Sequence, residues 1–384
     1  MNKSKNILGI DASNLRAGGG VTHIIEILNE HAHENSIFEK FVIWGHKDTL
    51  SLIPDKFWLK KIYLNKGNFF SRFWWQTFIL KKELINEKCN VLFSPGGSYL
   101  GNFRPYVTMS RNMLPFEPSE IIKYGLSLRF FKLIFLRVIH AISMKRADGV
   151  IFLTNYAKGK IEKSIGTMKG ILKVIPHGIS DKFISPPKKQ LPVVTLNNGA
   201  SFNVLYVSTV DMYKNQDNLV EAIAKIRKDR AWNIKLDLVG SSYPKALAKL
   251  NNKIKKHDPK NEWVKYHNQI PYSEISKIYH QSMLFAFLSS CENMPNILIE
   301  SMSAGLPIIS SNRGPMPEVL KDAGIYCDPS DPAEISHSIE SLMSDHVLRE
   351  QLSQKSFKLS QSYSWVLCSH KTFKFLEEFT NRNI

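Results

Sequence analysis

The sequence of 384 residues has only four cysteines and lacks several motifs that mark common protein classes. The cysteines form neither a CxxC pair nor a zinc-ligand spacing, so a metal knuckle and a disulfide framework have no support. We therefore expect free thiols in a reducing cytoplasm. A GxGxxG spacing is also absent, which leaves a nicotinamide or flavin fingerprint without support.

Long apolar runs are missing as well. No segment reaches the roughly 18–20 apolar residues that span a bilayer. The most apolar stretch, 121–144, is interrupted by basic and histidine side chains. The first residues contain no apolar stretch of signal-peptide length. We therefore expect neither a transmembrane helix nor a cleaved leader.

Acidic residues are scarce in the first half of the chain. Residues 1–190 hold 29 lysines and arginines against 14 aspartates and glutamates, whereas residues 191–384 hold 22 against 20. The formal net charge of +17 therefore belongs almost entirely to the first half. Such asymmetry indicates an anionic partner for that half, which could be nucleic acid, a membrane surface or a phosphorylated substrate.

The sequence does contain a repeated alternation of short β-branched runs with helical patterns, which is typical of parallel α/β sheets. The predicted strands are 6–10, 41–44, 91–94, 107–109, 149–153, 203–208, 234–239, 264–266, 284–288 and 308–310. We predict an α/β fold with Rossmann-like domains at 1–184 and 201–363, because roughly 100–200 residues form one domain. The proline-containing stretch 185–200 is the predicted linker. A helix within 364–384 is expected to complete the first domain.

A glycine loop follows the first predicted strand. Ala17–Gly20 comes before an amphipathic run that starts at Val21. A strand, a glycine loop and a helix together allow a phosphate or a sugar to approach backbone amides at a helix N-terminus. We therefore predict that Gly19 and Gly20 bind a ligand, with a flexible surface turn as the alternative.

Two glutamates, Glu292 and Glu300, are separated by seven residues in the second half. Glu292 follows a predicted strand, and Pro295–Asn296 has the residue types of a helix start. Both acids could therefore face one cleft near a helix N-terminus, which favours phosphate. The spacing alone is a weak signal, because a chain with 34 acidic residues contains such pairs by chance.

The stretch 289–329 resembles the donor-binding region of the retaining GT-B glycosyltransferases, the "group 1" family. In that family an E-x7-E pair precedes an A-x-G-x-P strand, a glycine turn, an E-V helix and an A-G strand. The matching elements here are Glu292 with Glu300, Ala304–Ile308, Arg313–Pro315, Pro317–Val319 and Ala323–Ile325. Further resemblances to the family are found at Gly18–Gly20, Val174–Ile179 and Val207–Asn215. The resemblance implies a GT-B fold, in which two Rossmann-like domains face each other across a cleft.

The resemblance also implies a donor and a mechanism. A nucleotide-diphosphate sugar would bind the second domain, with Glu300 accepting hydrogen bonds from the ribose and Glu292 holding hydroxyls of the transferred hexose. Lys214 would neutralise the departing diphosphate. The rest of the implied donor site consists of Gly19, Gly20, Thr209, Asn293, Met294, Pro295, Asn296 and Ile297. No DxD motif occurs, so we expect no metal and no other cofactor, and same-face attack would retain the anomeric configuration.

The sequence departs from the family at two positions. Thr209 stands where many relatives have a phosphate-binding arginine, so we expect Arg313 or another base to compensate. Arg111 stands where relatives often have a histidine, and a guanidinium is a poor general base. We predict that Arg111 binds the sugar or the phosphate, with a surface arginine as the alternative.

Three further polar residues lie near these motifs. His177 belongs to a matched motif before the second domain, which makes it a candidate for the donor site. We expect His23 to be a packed or solvated side chain after the glycine loop. Glu117 is expected to be an ordinary loop acid.

Two basic segments with interleaved aromatic residues, 121–147 and 56–82, carry much of the excess charge. On a helical wheel the charges of 121–147 do not segregate, so the sequence does not indicate an amphipathic anchor. Core helices with basic ends explain most of the aromatic residues. We nevertheless predict that the first domain associates with anionic phospholipid and receives a lipid-diphosphate-linked glycan acceptor there. The predicted enzyme of cell-surface polysaccharide synthesis is then cytoplasmic and peripheral to the inner membrane face.

Three alternative functions remain. A glycosidase could use Glu292 and Glu300 as acid and nucleophile. A sugar-nucleotide epimerase of the same fold would alter the donor without an acceptor. Nucleic-acid binding is disfavoured, because the aromatic residues of the basic half lie in apolar runs and no recognition-module signature occurs. We therefore expect no nucleic-acid partner.

Overall fold

A computed structural model describes the chain at residues 6–16, 18–65, 67, 69–193 and 201–380. The strands are β1 (Asn6–Ala12), β2 (Phe38–His46), β3 (Leu59–Leu64), β4 (Val91–Ser94), β5 (Tyr106–Met109), β6 (Gly149–Phe152), β7 (Ile171–Val174), β8 (Phe202–Val207), β9 (Ile234–Val239), β10 (Val264–His267), β11 (Leu284–Phe287), β12 (Ile308–Ser311) and β13 (Ile325–Cys327).

Helices connect most of these strands. They are α1 (Gly19–Asn29), α2 (Lys47–Leu50), α3 (Phe69–Trp74), α4 (Leu80–Asn86), α5 (Pro118–Ile121), α6 (Leu128–Arg146), α7 (Asn155–Ile165), α8 (Gln216–Arg230), α9 (Pro244–His257), α10 (Tyr272–Gln281), α11 (Asn296–Ser303), α12 (Met316–Leu320), α13 (Pro332–Ser344), α14 (His346–Ser360) and α15 (Trp365–Glu377). A π-helical turn, Trp75–Ile79, joins α3 to α4.

The chain divides into two compact units. The first comprises Met1–Phe116, Leu126–Gly178 and Ser364–Ile384, and the second comprises Glu117–Gly125 and Ile179–Tyr363. Two segments that the sequence analysis assigned to the first domain, 117–125 and 179–184, therefore belong to the second unit.

The predicted linker also needs correction. Its described part packs within the second unit, because the Ser185 N–H donates to the Ser303 carbonyl at 2.9 Å. Pro187 lies close to Gly305. A Cβ atom added to Gly305 would be 2.7 Å from the Cα atom of Pro187. The remainder of the predicted linker, 194–200, lies outside the described residues.

The first unit is built on a parallel sheet, whose described strands have the order β3-β2-β1-β4-β5-β6-β7. Its central strands are buried on both faces because they consist mostly of aliphatic and aromatic residues. The order reverses between β1 and β4, and ligands bind at such switch points in open α/β sheets. The C-terminal α15 packs here too, since the Ser369 hydroxyl donates to the Ile27 carbonyl at 2.7 Å.

The second unit contains another parallel sheet, with the order β10-β9-β8-β11-β12-β13 among its described strands. Its switch point lies between β8 and β11. The loops that leave the carboxyl ends of these two strands therefore lie side by side, and they contain two of the predicted catalytic residues, Lys214 and Glu292.

The ten predicted strands are all present, with ends that differ by at most three residues. The other three described strands are β3, β7 and β13. The sequence pattern did not reveal β3 and β7, whose residues are mostly half-buried or exposed, whereas β13 overlaps the A-G strand that the family resemblance implies. Among the described residues no helix has the length and apolar character needed to cross a bilayer. The four cysteines are free and buried.

Candidate functional site

Two loops meet at the carboxyl edge of the second sheet, one after β8 and the other after β11. The Ser290 N–H donates to the Tyr213 carbonyl at 2.8 Å. The Asn215 side-chain amide donates to the Leu288 carbonyl, also at 2.8 Å. These bonds join the loops directly, so their side chains share one site.

The joined loops bring Lys214 against Glu292. The ammonium and the carboxylate form an ion pair, and only 6% and 16% of the two side chains are exposed. The rings of Tyr213 and Phe287 lie 5.0 and 5.3 Å from the ammonium nitrogen, within the range of cation–π contacts. Little water screens this pair, so its charges act more strongly than those of a surface pair.

Backbone contacts hold Lys214 in position. The Tyr206 hydroxyl donates to the Lys214 carbonyl at 2.7 Å, and the Lys214 N–H donates to the Asp211 carbonyl at 3.0 Å. Asn215 follows with a φ of 55°, in the left-handed region that asparagine tolerates better than most residues. Burial raises the pKa of Tyr206 well above its ordinary value, and the charge of Glu292 adds to the rise. Tyr206 is therefore a neutral hydrogen-bond donor.

Glu300 lies on α11, which follows the Glu292 loop. The helix begins at Asn296, after Pro295, as the sequence predicts. Its N-terminus brings the positive end of the helix dipole next to this loop. Glu300 is 7% exposed, and the Tyr279 hydroxyl donates to its Oε2 atom at 3.2 Å. The carboxylate is therefore held in a fixed orientation.

The predicted donor-binding residues 293–297 lie near the start of α11. Asn293 and Met294 are buried, and Ile297 lies in the first turn of the helix. Gly314, in the glycine turn after β12, has a φ of 66°. A Cβ atom on it would lie 3.8 Å from the Glu292 backbone nitrogen. This turn therefore approaches the Glu292 loop closely.

Thr209 is exposed just beyond the end of β8, and its hydroxyl lies 3.2 Å from the hydroxyl of Ser241. Arg313, which we expect to compensate for the missing arginine, has 40% of its side chain exposed. Its Nη2 atom lies 2.7 Å from both carboxylate oxygens of Asp328 and 2.9 Å from the Ser330 hydroxyl. These contacts hold one edge of the Arg313 guanidinium in place, and its role in compensating for Thr209 stays a prediction.

In the first unit Arg111 lies over Gly20. A Cβ atom on Gly20 would fall 1.4 Å from the arginine Nη1. The guanidinium therefore fits only because Gly20 has no side chain. Gly18 has a φ of 72°, and Gly19 begins α1. Burial lowers the pKa of Arg111 to about 10, which leaves the group cationic at neutral pH. A cation and a helix N-terminus thus lie together, an arrangement that attracts anions.

His177 and His23 are packed in the interior of the first unit. Their ring centroids are 4.8 Å apart, and Trp365 lies 5.5 Å from His177. His23 is fully buried. Burial lowers its pKa well below the ordinary value, with the charges of His177 and Arg111 adding to the shift. The packed His23 agrees with expectation, whereas the surroundings of His177 favour a packing role over a contact with the donor.

Two groups of residues were missed or misjudged by sequence reasoning. Glu117 is not an ordinary loop acid, because it is buried in the second unit, just before α5. Two tyrosines contact Lys214 and Glu300. Tyr206 lies in the mostly apolar strand β8, and Tyr279 lies on α10, a helix of mostly polar residues. No sequence signal marks their hydroxyl contacts.

The chemistry available in the second unit follows from these positions. A buried ammonium and a helix N-terminus stabilise an anion such as a diphosphate. The carboxylates of Glu292 and Glu300 accept hydrogen bonds from hydroxyl groups. In the described part of the chain, no three side chains of histidine, cysteine, aspartate or glutamate are grouped so that they could hold a metal ion.

Comparison with known proteins identifies a family match in this unit. Residues 188–359 match the model of the glycosyl transferases group 1 family. The sequence is also similar to the O-antigen chain mannosyltransferase B of Escherichia coli, with 26% identity over 194 residues, which is 50% of each chain. The chain spans about half the length of the curated relatives it matches.

Solved structures resemble nearly the whole chain. Sucrose-phosphate synthase from Thermosynechococcus elongatus has a TM-score of 0.76 and 15% identity, covering 97% of this chain and 99% of that protein. HepE from Anabaena, solved in complex with UDP-glucose, has a TM-score of 0.71 and 16% identity, and the match covers 97% of this chain and 99% of that protein. At these identities the likeness concerns the fold alone, and it confirms the expected GT-B fold.

Proposed function

We propose, from the match of residues 188–359 to the glycosyl transferases group 1 family, that this protein moves a hexose from a nucleotide-diphosphate sugar to a glycan acceptor. The observation that carries the proposal is the buried Lys214–Glu292 pair in the matched unit. A cation next to a carboxylate suits a substrate with negative charge on one side and hydroxyl groups on the other. A nucleotide-diphosphate sugar has this distribution of groups.

The proposed reaction retains the anomeric configuration. The bond between the anomeric carbon and the diphosphate oxygen breaks, and the acceptor oxygen bonds to the same face of that carbon. The acceptor proton passes to the departing diphosphate, so the protein supplies no base. Lys214 and the N-terminus of α11 stabilise the charge that develops on the leaving group. Glu292 holds sugar hydroxyls, Glu300 holds the ribose, and no metal takes part.

The acceptor is proposed to bind the first unit. Arg111 supplies a cation beside the amides of Gly19 and Gly20 at the start of α1. This arrangement suits a phosphate or a sugar close to one. A glycan linked to a lipid diphosphate contains both groups.

A membrane surface is the proposed place of that acceptor. The large apolar side chains exposed along α6 recur at helical spacing, and they are Leu128, Phe131, Ile134, Phe135, Val138 and Ile142. The basic residues of this helix do not segregate to one side, so the sequence alone indicates no amphipathic anchor. The exposed apolar side chains, in contrast, follow one another at helical spacing. No acidic residue occurs in 121–147, so the helix suits the interface of an anionic bilayer.

A second apolar surface supports the same proposal. Phe73 and Gln76 line a small cavity together with Leu136 and Ile139 of α6, so the segment from α3 to the π turn lies beside α6. In that segment Trp74 and Phe78 are exposed as well. The similarity to an O-antigen mannosyltransferase favours cell-surface polysaccharide synthesis at the inner face of the cytoplasmic membrane.

The proposed donor class is tested by thermal unfolding with UDP-, GDP-, ADP- and dTDP-sugars, followed by transfer assays with the nucleotide sugar that raises the Tm. We expect one nucleotide to raise the Tm of the wild type and not that of Lys214→Ala. The matched control is Lys249→Ala, which removes an exposed lysine of the same unit and should behave as the wild type.

Three outcomes would contradict the proposed function. A Tm that no nucleotide sugar changes would leave the Lys214–Glu292 pair without its proposed substrate. Conversion of the sugar nucleotide without any acceptor would indicate an epimerase. Hydrolysis of a glycoside without any nucleotide, lost in Glu292→Gln, would indicate a glycosidase.

A further inference from the structure

A short segment from the first half of the chain, Glu117–Gly125, belongs to the second unit. It consists of α5 and a 3-10 turn, Ile122–Tyr124. The residues on either side of it, Phe116 and Leu126, belong to the first unit. The side chains of the segment contact both loops of the candidate site.

Tyr124 contacts the loop after β8. It is 2% exposed, and its hydroxyl donates to Asp211 Oδ1 at 2.7 Å. The same oxygen accepts the Met212 N–H at 2.8 Å, and the Asp211 carbonyl accepts the Lys214 N–H at 3.0 Å. Tyr124 therefore fixes Asp211, and the Asp211 carbonyl in turn fixes the Lys214 backbone.

Glu120 contacts the loop after β11. The Ser290 hydroxyl donates to Glu120 Oε1 at 2.8 Å, and the Ser290 N–H donates to the Tyr213 carbonyl at 2.8 Å. Glu292 follows two residues later. The Glu120 carboxylate also pairs with Lys123 at 2.7 Å, so its charge is compensated within the segment. Glu120 thus binds the junction between the two loops.

We propose that Glu117–Gly125 is a strap that positions Lys214 and Glu292 for the reaction, with Tyr124 and Glu120 as positioning residues. The inference rests on the proposed function, since it assigns the strap to the donor site. Tyr124 contacts the loop that contains Lys214, and Glu120 contacts the loop that contains Glu292. A small displacement of a charged group weakens the stabilisation of a transition state more than the binding of the ground state. The strap therefore acts on turnover.

A merely structural role leads to a different expectation. If Tyr124 and Glu120 only stabilise the second unit, their loss loosens the whole sheet and lowers the Tm. If they position the pair, their loss loosens only the two loops. Amide hydrogen exchange distinguishes these cases, because it reports opening segment by segment.

The kinetic test compares Tyr124→Phe and Glu120→Ala with the wild type, using the best donor from a panel of UDP-, GDP-, ADP- and dTDP-glucose. We expect kcat to fall about ten-fold in each variant while KM for the donor changes less than about three-fold. Glu120→Gln keeps an oxygen acceptor for Ser290 and should stay within about two-fold of the wild type. Tyr326→Phe, which removes a tyrosine hydroxyl elsewhere in the same unit, is the matched control.

The exchange test uses the same variants without ligand. We expect faster exchange in peptides that cover 209–216 and 288–296, with unchanged exchange across β12 and α12. A kcat that stays at the wild-type value in Tyr124→Phe and Glu120→Ala, or exchange that rises equally across the second unit, would overturn the strap. A wild type that neither turns over nor binds any nucleotide sugar would instead contradict the proposed function itself.

Discussion

Lys214 and Glu292 lie 78 positions apart in the chain, yet their side chains form a nearly solvent-free ion pair. Removal of one partner leaves the other charge buried and unpaired, whereas removal of both partners leaves no buried charge at this position. We therefore expect Lys214→Met and Glu292→Gln each to lower the free energy of unfolding by about 1–3 kcal/mol. The double variant should lose less than the sum of the two, by about 1 kcal/mol or more. Denaturant unfolding of the three variants measures this coupling.

A surface pair in the same unit provides the control for this cycle. Arg230 and Glu340 form an ion pair in which 56% of the arginine side chain is exposed. Their coupling should be below about 1 kcal/mol. Equal coupling in the two cycles would contradict the burial of the Lys214–Glu292 pair. All three variants at that pair should also transfer sugar at a greatly reduced rate while remaining folded.

Glu300 is expected to recognise the ribose of the donor. Its carboxylate is held by the Tyr279 hydroxyl, and a hydrogen bond to a charged group contributes about 1.5–3 kcal/mol. Glu300→Gln should therefore weaken nucleoside diphosphate binding by roughly ten-fold to one-hundred-fold, because 1.4 kcal/mol corresponds to a factor of ten. Isothermal titration calorimetry with the nucleoside diphosphate measures the loss.

Deoxy analogues separate ribose recognition from general damage to this site. The wild type should bind the 2′-deoxy or the 3′-deoxy nucleotide more weakly than the ribonucleotide. Glu300→Gln should bind the deoxynucleotide and the ribonucleotide with nearly equal affinity, because the carboxylate that recognises the ribose hydroxyl has been replaced. Full discrimination in Glu300→Gln would place the ribose elsewhere.

Removal of divalent metal should leave the transfer activity unchanged. The proposed mechanism neutralises the diphosphate with Lys214 and the N-terminus of α11 instead of a metal ion. Initial rates measured in excess EDTA and in added Mg²⁺ or Mn²⁺ should agree within about two-fold. A rate that EDTA abolishes and Mg²⁺ restores would show that a metal supplies the missing charge.

How far the sequence predicts this molecule depends on how local each signal is. Strands were predicted well because the apolar pattern of a buried strand lies within a few residues, and the E-x7-E motif identified a pair of glutamates on one loop and helix. Partners distant in the chain were not predictable. No pattern indicates that Tyr124 binds Asp211 or that Ser290 binds Glu120, because folding alone brings these groups together.

Exposure was the other property that the sequence could not supply. A helical wheel of α6 shows apolar residues on most sides, and only the fold determines which of them the sheet covers. Phe131 and Phe135 are 57% and 47% exposed, whereas Leu133 and Ile139 on the same helix are 5% exposed each. The apolar stripe therefore became visible only when the covered face was known.

Stability should fall in mild acid because of two neutral histidines in the first unit, the buried His23 and the half-buried His140. Burial lowers the pKa of His23 well below 6.5, and it lowers the pKa of His140 to about 4, with the charge of Arg111 adding to both shifts. As the pH falls below 6.5, the unfolded chain binds protons that the folded chain excludes. The contribution of these two histidines to the free energy of unfolding is therefore complete above about pH 6.5 and declines toward pH 4. For each histidine the decline is at most about 1.4 kcal/mol per pH unit.

Urea unfolding at pH 7 and pH 5 measures this dependence. The wild type should unfold at a lower urea concentration at pH 5. His140→Phe should show a smaller difference between the two pH values, whereas replacement of an exposed histidine of the second unit, His337→Gln, should leave the difference unchanged. A wild type that is equally stable at both pH values would contradict the neutral buried state.

The apolar stripe of α6 is expected to bind anionic membranes. Burying a phenylalanine side chain contributes about 1.5–3 kcal/mol, and each well-placed lysine or arginine adds about 1 kcal/mol at an anionic surface. Because Phe131 and Phe135 are about half exposed, the variant Phe131→Ser/Phe135→Ser should bind vesicles at least about ten-fold more weakly. Sedimentation with vesicles of phosphatidylcholine, with and without phosphatidylglycerol, measures the affinity.

Salt and a matched surface variant separate the two contributions to that binding. High salt should weaken binding of the wild type to vesicles that contain phosphatidylglycerol, because it screens the basic residues. Val347→Ser, which removes an exposed apolar side chain from α14 of the second unit, should bind as the wild type does. Equal binding to neutral and anionic vesicles, or a Phe131→Ser/Phe135→Ser variant that binds normally, would rule out α6 as the membrane-binding element.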